Sequence, residues 1–423
     1  MTATVREFDT IDISDMAFWA RPPHERERVF AQLRRERPVS WQRPVFSPLM
    51  GEVNEAEAGY WAVVRNADIV TVSRHAEVFS SATGGVTFED MPSEILEMAT
   101  SILTMDAPRH GKVRRLISST FTPKRLALIQ DQIANQARRI VDAIAPLGEV
   151  EFVSAVSARL PMWTISEMIG IPEENRDEVH EAANLMISWD DEEVTGGLDA
   201  PTAMLNGIAT LHGVCQDVIE ARRAKPADDL LTALTQAEVD GARLTDDEIR
   251  SFFVLLCVAG NDTTKQTTTH TLRALTEFPD QRRLLMEDFD GRIDGAVEEF
   301  VRWASPVMTF RRTALEPFEL AGQRIEAGDK VVMFYSSGNR DEEAFDRPGT
   351  FDITRDNRRH VAFGGRGPHY CLGNHLAKTQ LKLIFSELLT RLPDIRADGE
   401  PEYLTSTFIN GIKSQRCVFT PER

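Results

Sequence analysis

Cys371 ends the run Phe363-Gly364-Gly365-Arg366-Gly367-Pro368-His369-Tyr370-Cys371 and is followed by Leu372-Gly373. A thiol in that setting is suited to hold a metal. Three glycines and a proline before it exclude regular helix or strand, so the sulfur sits at the end of an irregular, tightly folded loop. From Leu372 the apolar residues Leu376, Leu381, Ile384, Phe385, Leu388 and Leu389 recur at helical spacing, so the loop runs into a helix. Free N–H groups and the dipole at a helix N-terminus favour a deprotonated sulfur there. The alternative for any isolated cysteine is a structural thiol packed in the core.

A second site of chemistry lies in the longest helical pattern, Leu244 to Phe278, which opens with Thr245-Asp246-Asp247-Glu248 as a capping box and stops before Pro279. Its centre breaks the rules, because Ala259-Gly260-Asn261-Asp262-Thr263-Thr264 follows the apolar run from Phe252 to Ala259. Gly260 alone costs about 1 kcal/mol relative to Ala in a helix. Small residues at 259 and 260 let another body approach the axis, and Asp262 and Thr263 offer it a carboxylate and a hydroxyl. The competing reading is that Thr263 bonds back to the carbonyl four residues earlier and Asp262 only bends the helix toward solvent. Two weaker features accompany it. Glu299 and Arg302 stand at i, i+3 and can pair, and His110 and Arg114 stand at i, i+4 and can hold one anion between them.

The elements that must position these residues are mostly helical. Periodicity predicts helices near His24–Glu36, Lys124–Ala145, Ala155–Ile169, Ala203–Lys225, Thr245–Glu277, Pro279–Phe289, Asp294–Trp303 and Leu372–Leu392. Strand signals are fewer: Tyr60–Val64, and Phe318–Ile325 and Lys330–Tyr335 joined by the turn Glu326-Ala327-Gly328-Asp329. The fold class is mainly α with a small β portion. Repeats, low-complexity segments and interdomain linkers are absent, so residues 1–423 read as a single domain. The polar, glycine-containing stretch from Asp190 to Asn206 reads as a mobile lid.

Composition narrows the partners. With 423 residues, 42% hydrophobic and 27% charged, the chain can bury a large core. No apolar run reaches the roughly 18 residues of a membrane span, and the polar N-terminus lacks a signal-peptide pattern, so a cytoplasmic protein with no membrane anchor is expected. Cysteines at 215, 257, 371 and 417 show neither disulfide nor zinc spacing. A net charge of −18 disfavours nucleic acid. Against that background Arg109, Lys112, Arg114, Arg115, Lys124 and Arg125 form an island without acids, either a solvated face or a site for an anion.

Taken in order, His110/Arg114, Ala259–Thr264, Glu299/Arg302, Arg312-Thr313-Ala314 and the Cys371 loop resemble the cytochrome P450 family, soluble bacterial type, across nearly the whole chain. The resemblance implies the cytochrome P450 fold, helices around haem b, with Cys371 as the proximal thiolate on iron. It implies that His110, Arg114, Arg312 and His369 hydrogen-bond the haem propionates and that Ala259, Gly260, Phe363, Gly364 and Gly373 line the cofactor. Glu299 and Arg302 would buttress the cysteine loop, and Asp262 and Thr263 would relay protons to bound O2. By position, substrate contacts would come from Val86, Phe88, Ile95, Met98, Val258, Val307, Met308, Phe408 and Ile409. The family pattern has a residue seven before the cysteine that here is Gly364, since Phe363 stands eight before it. This longer loop, with AGNDTT, SPVMTFRRTA and FINGIK, resembles an actinobacterial branch acting on steroid side chains and methyl-branched lipids. The expected function is a monooxygenase that inserts one oxygen atom from O2 into a C–H bond of a lipid, steroid or terpenoid. Its electrons would come from NAD(P)H through ferredoxin reductase and ferredoxin, docked on cations such as Lys112, Arg115 and Arg366. The alternatives are a haem-binding sensor or carrier, and a peroxygenase that needs no ferredoxin.

Overall fold

The computed structural model describes residues 6–47, 59–98, 100–118, 123–189, 191–239, 241–356 and 359–422. Helices dominate. The expected helices appear as Pro23–Glu36, Pro123–Ile144, Arg159–Ile169, Ala200–Ala224, Asp246–Glu277, Pro279–Glu287, Phe289–Ala304 and Asn374–Arg391. Helices also form outside the predicted segments, among them Arg109–Ser118 and Arg176–Ile187. The long helix starts where its capping box requires. Thr245 Oγ1 accepts from the N–H of Glu248 at 3.2 Å, and the Glu248 carboxylate accepts from the N–H of Thr245 at 2.9 Å.

One apolar cluster joins Ile133, Val141, Phe300, Phe385 and Leu388 with Leu272 and Leu275 of the long helix. A second joins Ile165, Leu211, Phe252, Phe253 and Cys257. The long helix therefore runs through both, and Tyr370 and Cys371 rest against the first.

The main sheet corrects the strand expectations. Its order is Val39–Gln42, Tyr60–Val63, Lys330–Phe334, Thr309–Ala314, Phe79–Ser80. Phe318–Leu320 and Gln323–Ile325 form their own hairpin, because Ala321 and Gly322, both at positive φ, make the turn that a continuous strand would not allow. Lys330–Phe334 pairs instead with Tyr60–Val63 and Thr309–Ala314. The stretch expected as a lid is largely helical. Glu192–Thr195 forms one turn, and Asp199 caps the helix from Ala200 by accepting from the N–H of Thr202 at 3.0 Å. Asp191 pairs with Lys413 at 2.9 Å, and Asp190 lies outside the described residues. Among the described residues no helix is long and apolar enough to cross a membrane.

Glu299 and Arg302 are both fully buried and meet in a two-pronged pair at 2.6 and 2.7 Å. Arg302 Nη1 also donates to the carbonyls of Asn339 (2.8 Å) and Pro348 (3.0 Å), and Glu299 accepts from the N–H of Asp352 at 2.8 Å. The Asn339 side-chain oxygen accepts from Val361 N–H at 2.7 Å, and the Val361 carbonyl accepts from Gly364 N–H at 2.9 Å. A chain of hydrogen bonds thus runs from the helix Phe289–Ala304 into the cysteine loop. Glu298, next along that helix, bridges His360 before the loop (2.9 Å) and Lys378 after the cysteine (2.6 Å).

Removing one partner of such a pair leaves the other charged and unsatisfied. Glu299→Gln is expected to lower unfolding free energy by about 3–5 kcal/mol, measured by denaturant titration; a loss near zero would mean the pair does not hold the loop. Burial pushes the Glu298 carboxyl up, but His360 and Lys378 outweigh it and bring it down to about 2. With the folded value below the unfolded one, the stabilisation is present above the unfolded pKa and lost as pH falls through the folded one. The stability difference between wild type and Glu298→Gln is therefore expected to shrink as pH falls from about 4.5 to 2; a difference unchanged over that range would contradict the assignment.

Candidate active site: a cavity between the long helix and the cysteine loop

The loop closes on itself through its backbone. The N–H of Cys371 donates to the carbonyl of Phe363 at 2.9 Å, that of Tyr370 to Gly367 at 3.2 Å, and Asn374 Nδ2 to the carbonyl of Cys371 at 2.8 Å. Gly367 has φ +105°, and a Cβ there would collide with the Ser73 carbonyl oxygen. The glycine run is thus required by the close approach of the helix Asn66–Arg74.

The balance of forces on the sulfur differs from the sequence expectation. Burial pushes the Cys371 thiol above its ordinary pKa, while the N–H groups of Gly373 and Asn374 and the charges of Arg114 and Lys378 pull it down without winning. A metal cation at the sulfur would supply the missing charge, since a ligating cysteine is deprotonated.

Cys371 opens onto a cavity with about 1660 Å³ of space free of protein atoms, part of it continuous with solvent. His110, Arg114, Arg312 and His369 all line it, as do Phe363, Gly364 and Gly373. Arg114 Nη2 donates to the Tyr370 carbonyl at 2.6 Å and Arg312 Nη1 to the Arg311 carbonyl at 2.6 Å. Among the described residues neither guanidinium has a carboxylate within ion-pair distance. The rings of His110 and His369 lie 4.2 Å apart, His369 Nε2 meets Ser81 Oγ at 3.2 Å, and His110 Nε2 is buried with no partner. Burial, reinforced by Arg312, His110 and Arg114, holds His369 down to about 3. Burial also lowers His110, with Arg114 adding to the effect, and it lowers Arg312. A buried cluster of donors and cations that lacks its anion fits the two carboxylates of a haem and the thiolate opposite them.

Across the cavity stand Ala259, Gly260, Thr263, Thr264 and Thr267 of the long helix. A Cβ on Gly260 would come within 2.5 Å of Ile165 Cδ1, so the body that approaches the axis at this residue is the helix Arg159–Ile169. Thr263 Oγ1 does bond back, to the Ala259 carbonyl at 2.8 Å, yet it also faces the cavity. Asp262 does not. It is 3% exposed, outside the lining, and ion-paired with Lys265 one turn on. Thr263 and its neighbour Thr264 both line the cavity, whereas the Asp262 carboxylate is turned to Lys265.

Of the expected substrate contacts, Val86 and Val307 line the cavity and the others do not. Phe88 packs in the core against Tyr60, ring centroids 4.8 Å apart, and Met308 lies 2% exposed in the same cluster. Ile95 packs with Met204 and Ile208, Met98 is 38% exposed, and Val258 turns into the cluster around Phe252. Phe408 stands one layer back, its ring 5.5 Å from that of Phe310, and Ile409 is buried and bridged to Val307. The wall is instead built by Phe252, Leu255, Leu256, Phe310, Ile102 and Leu103. The spacing 252, 255, 256, 259 is one helix face and was legible; the short turn holding Ile102 and Leu103 carries no periodic signal.

Comparison with known proteins agrees with this geometry. The cytochrome P450 family profile matches residues 203–393. The chain is 39% identical over 407 residues to the methyl-branched lipid omega-hydroxylase of Mycobacterium tuberculosis, covering 96% of this chain and 93% of that protein. It is 40% identical over 388 residues to the steroid C26-monooxygenase of Rhodococcus jostii, covering 91% and 80%. The Mycobacterium marinum cytochrome P450 CYP268A2, solved in complex with pseudoionone, superposes with a TM-score of 0.94 at 51% identity over 99% of this chain and 100% of that one. The chain therefore belongs to the cytochrome P450 family, haem monooxygenases that take electrons from NAD(P)H through partner proteins.

Proposed function

We propose that the chain, acting in the cytoplasm as one domain over residues 1–423, hydroxylates an apolar small molecule of the lipid, steroid or terpenoid class held against the long helix. The observation that carries this reading is one cavity that has Cys371 and the cation cluster on one side and an apolar wall around Thr263 on the other. Haem bound through Cys371 supplies the activation of dioxygen and the transfer of one oxygen atom to a C–H bond. Arg114, Arg312, His110 and His369 would hold its carboxylates on the wall they share with Cys371. Phe252, Leu255, Leu256, Val307 and Phe310 exclude water and orient the substrate by shape, since they offer no hydrogen bonds. The relatives' substrates, methyl-branched lipids and steroids, support the same class.

Thr263 holds a hydroxyl proton at the cavity wall, now directed to the Ala259 carbonyl; rotation about χ1 turns it inward. Asp262, expected to feed protons to Thr263, is ion-paired with Lys265 and must leave that pair before it can serve this role. Thr263→Ala is expected to lower product formed per NAD(P)H several-fold and to raise hydrogen peroxide, measured by coupled product and peroxide assays. An unchanged ratio would remove Thr263 from the proton path.

Electrons reach the cavity from ferredoxin, itself reduced by ferredoxin reductase, on the face around Lys112, Arg115 and Arg366. All three are exposed, and Arg366 lies at the cavity rim. Lys124 and Arg125 of the basic island have side chains outside the described ones. An acidic ferredoxin is steered by such cations and screened by salt. Lys112→Glu is expected to slow ferredoxin-dependent reduction at low salt and to leave dithionite reduction unchanged, measured by stopped flow; equal rates for both proteins would contradict this docking face.

A further inference from the structure

A second cavity lies apart from the haem site, with about 430 Å³ of space free of protein atoms and partly open to solvent. Its polar wall is made by Arg26 and Arg340, and its apolar wall by Phe30, Trp303 and Met308. Arg26 is 7% exposed, and its Nε is buried without a hydrogen-bond partner. Its Nη1 meets only the Met308 sulfur, at 3.5 Å, and its guanidinium lies 5.7 Å from the Trp19 ring. Arg340 donates to the carbonyls of Trp303 (2.9 Å) and Arg302 (3.4 Å) and lies 4.2 Å over the Trp303 ring. Among the described residues neither guanidinium forms an ion pair. The carboxylate in the wall, Glu27, is already taken by Arg34 at 2.5 Å.

Two desolvated guanidiniums without a direct ion pair are costly, although Glu27 and Glu299, both paired to other arginines, partly offset the charge of Arg340. Burial brings Arg26 down to about 10 and Arg340 to about 9. Their field reaches His270, which burial first, then Arg273, Arg340 and Arg26, hold down to about 4. The first turn of the helix Pro23–Glu36 adds the positive end of a 14-residue helix at the same wall. Planar guanidiniums match a carboxylate in geometry as well as charge, and the apolar wall favours an organic anion over chloride or phosphate.

We propose that this cavity binds a small organic carboxylate, its oxygens on Arg26 and Arg340 and its short apolar body against Phe30, Trp303 and Met308. The site stands independently of the reading given for the haem cavity, although one stretch of chain serves both. Ser305 and Met308 line the second cavity, Pro306 and Val307 the first.

The test is calorimetric titration of the haem-loaded protein with sodium butyrate, against butyramide and against sodium chloride at matched ionic strength, with the Soret band recorded alongside. Saturable butyrate binding without a Soret shift, weakened about tenfold or more in Arg26→Gln, is the expected result. Equal affinity in wild type and Arg26→Gln, equal binding of butyramide, or heat that chloride reproduces would overturn the proposal. A binding event that shifts the Soret band and ignores Arg26→Gln would place butyrate in the haem cavity and overturn it equally. Should Arg26→Gln fail to fold, wild-type crystals soaked in butyrate decide the matter: density between Arg26 and Arg340 supports the site, and none overturns it.

Discussion

Arg302 directs its N–H groups to Glu299 and to carbonyls at 339, 348 and 350, all from a position with no solvent exposure. Those carbonyls belong to the segment that enters the cysteine loop, and Asn339 carries the order onward through Val361 to Gly364. A buried ion pair contributes little net stability by itself, because desolvation offsets most of the attraction. Its value here is positional. The loop has no regular secondary structure to fix it, so the sulfur is placed only as well as this scaffold places the backbone on either side of it.

The electrostatics of the cavity make sense only with a charged occupant. Among the described residues a buried thiol above its ordinary pKa, two guanidiniums without a carboxylate at ion-pair distance and a histidine nitrogen without a partner each favour a neighbour of complementary charge. They become complementary around a group that brings a cation to the sulfur and carboxylates to the arginines. Cys371 and the cation cluster are therefore complementary to one group that carries both charges. The same logic, with the opposite half missing, applies to Arg26 and Arg340 in the second cavity.

What the sequence made legible follows from range. The cysteine loop, the capping box and the pair at 299 and 302 are local patterns, and each maps to a local structure that its own residues dictate. The mismatch in the long helix was also readable, though its cause was not: Gly260 is explained by Ile165, nearly a hundred residues away in the chain. Asp262 beside Thr263 reads as a pair, but Lys265, one turn on, claims the carboxylate. Substrate contacts were read least well. Val307 faces the cavity while its neighbour Met308 faces the core, and choosing between them needs the packing of helix Pro23–Glu36 and the main sheet, which no window around residue 307 contains. The strand Thr309–Ala314 was missed for the same reason, since its partners come from residues 79–80 and 330–334.

The most direct test of the central claim is the absorption spectrum of the reduced, haem-loaded protein under carbon monoxide. Thiolate ligation by Cys371, held by the loop and its buried scaffold, predicts the strongly red-shifted Soret band that distinguishes a thiolate-bound haem from one with a neutral axial ligand. A folded protein that shows only the shorter-wavelength band would mean that Cys371 is protonated or displaced, and the account of the site would fail.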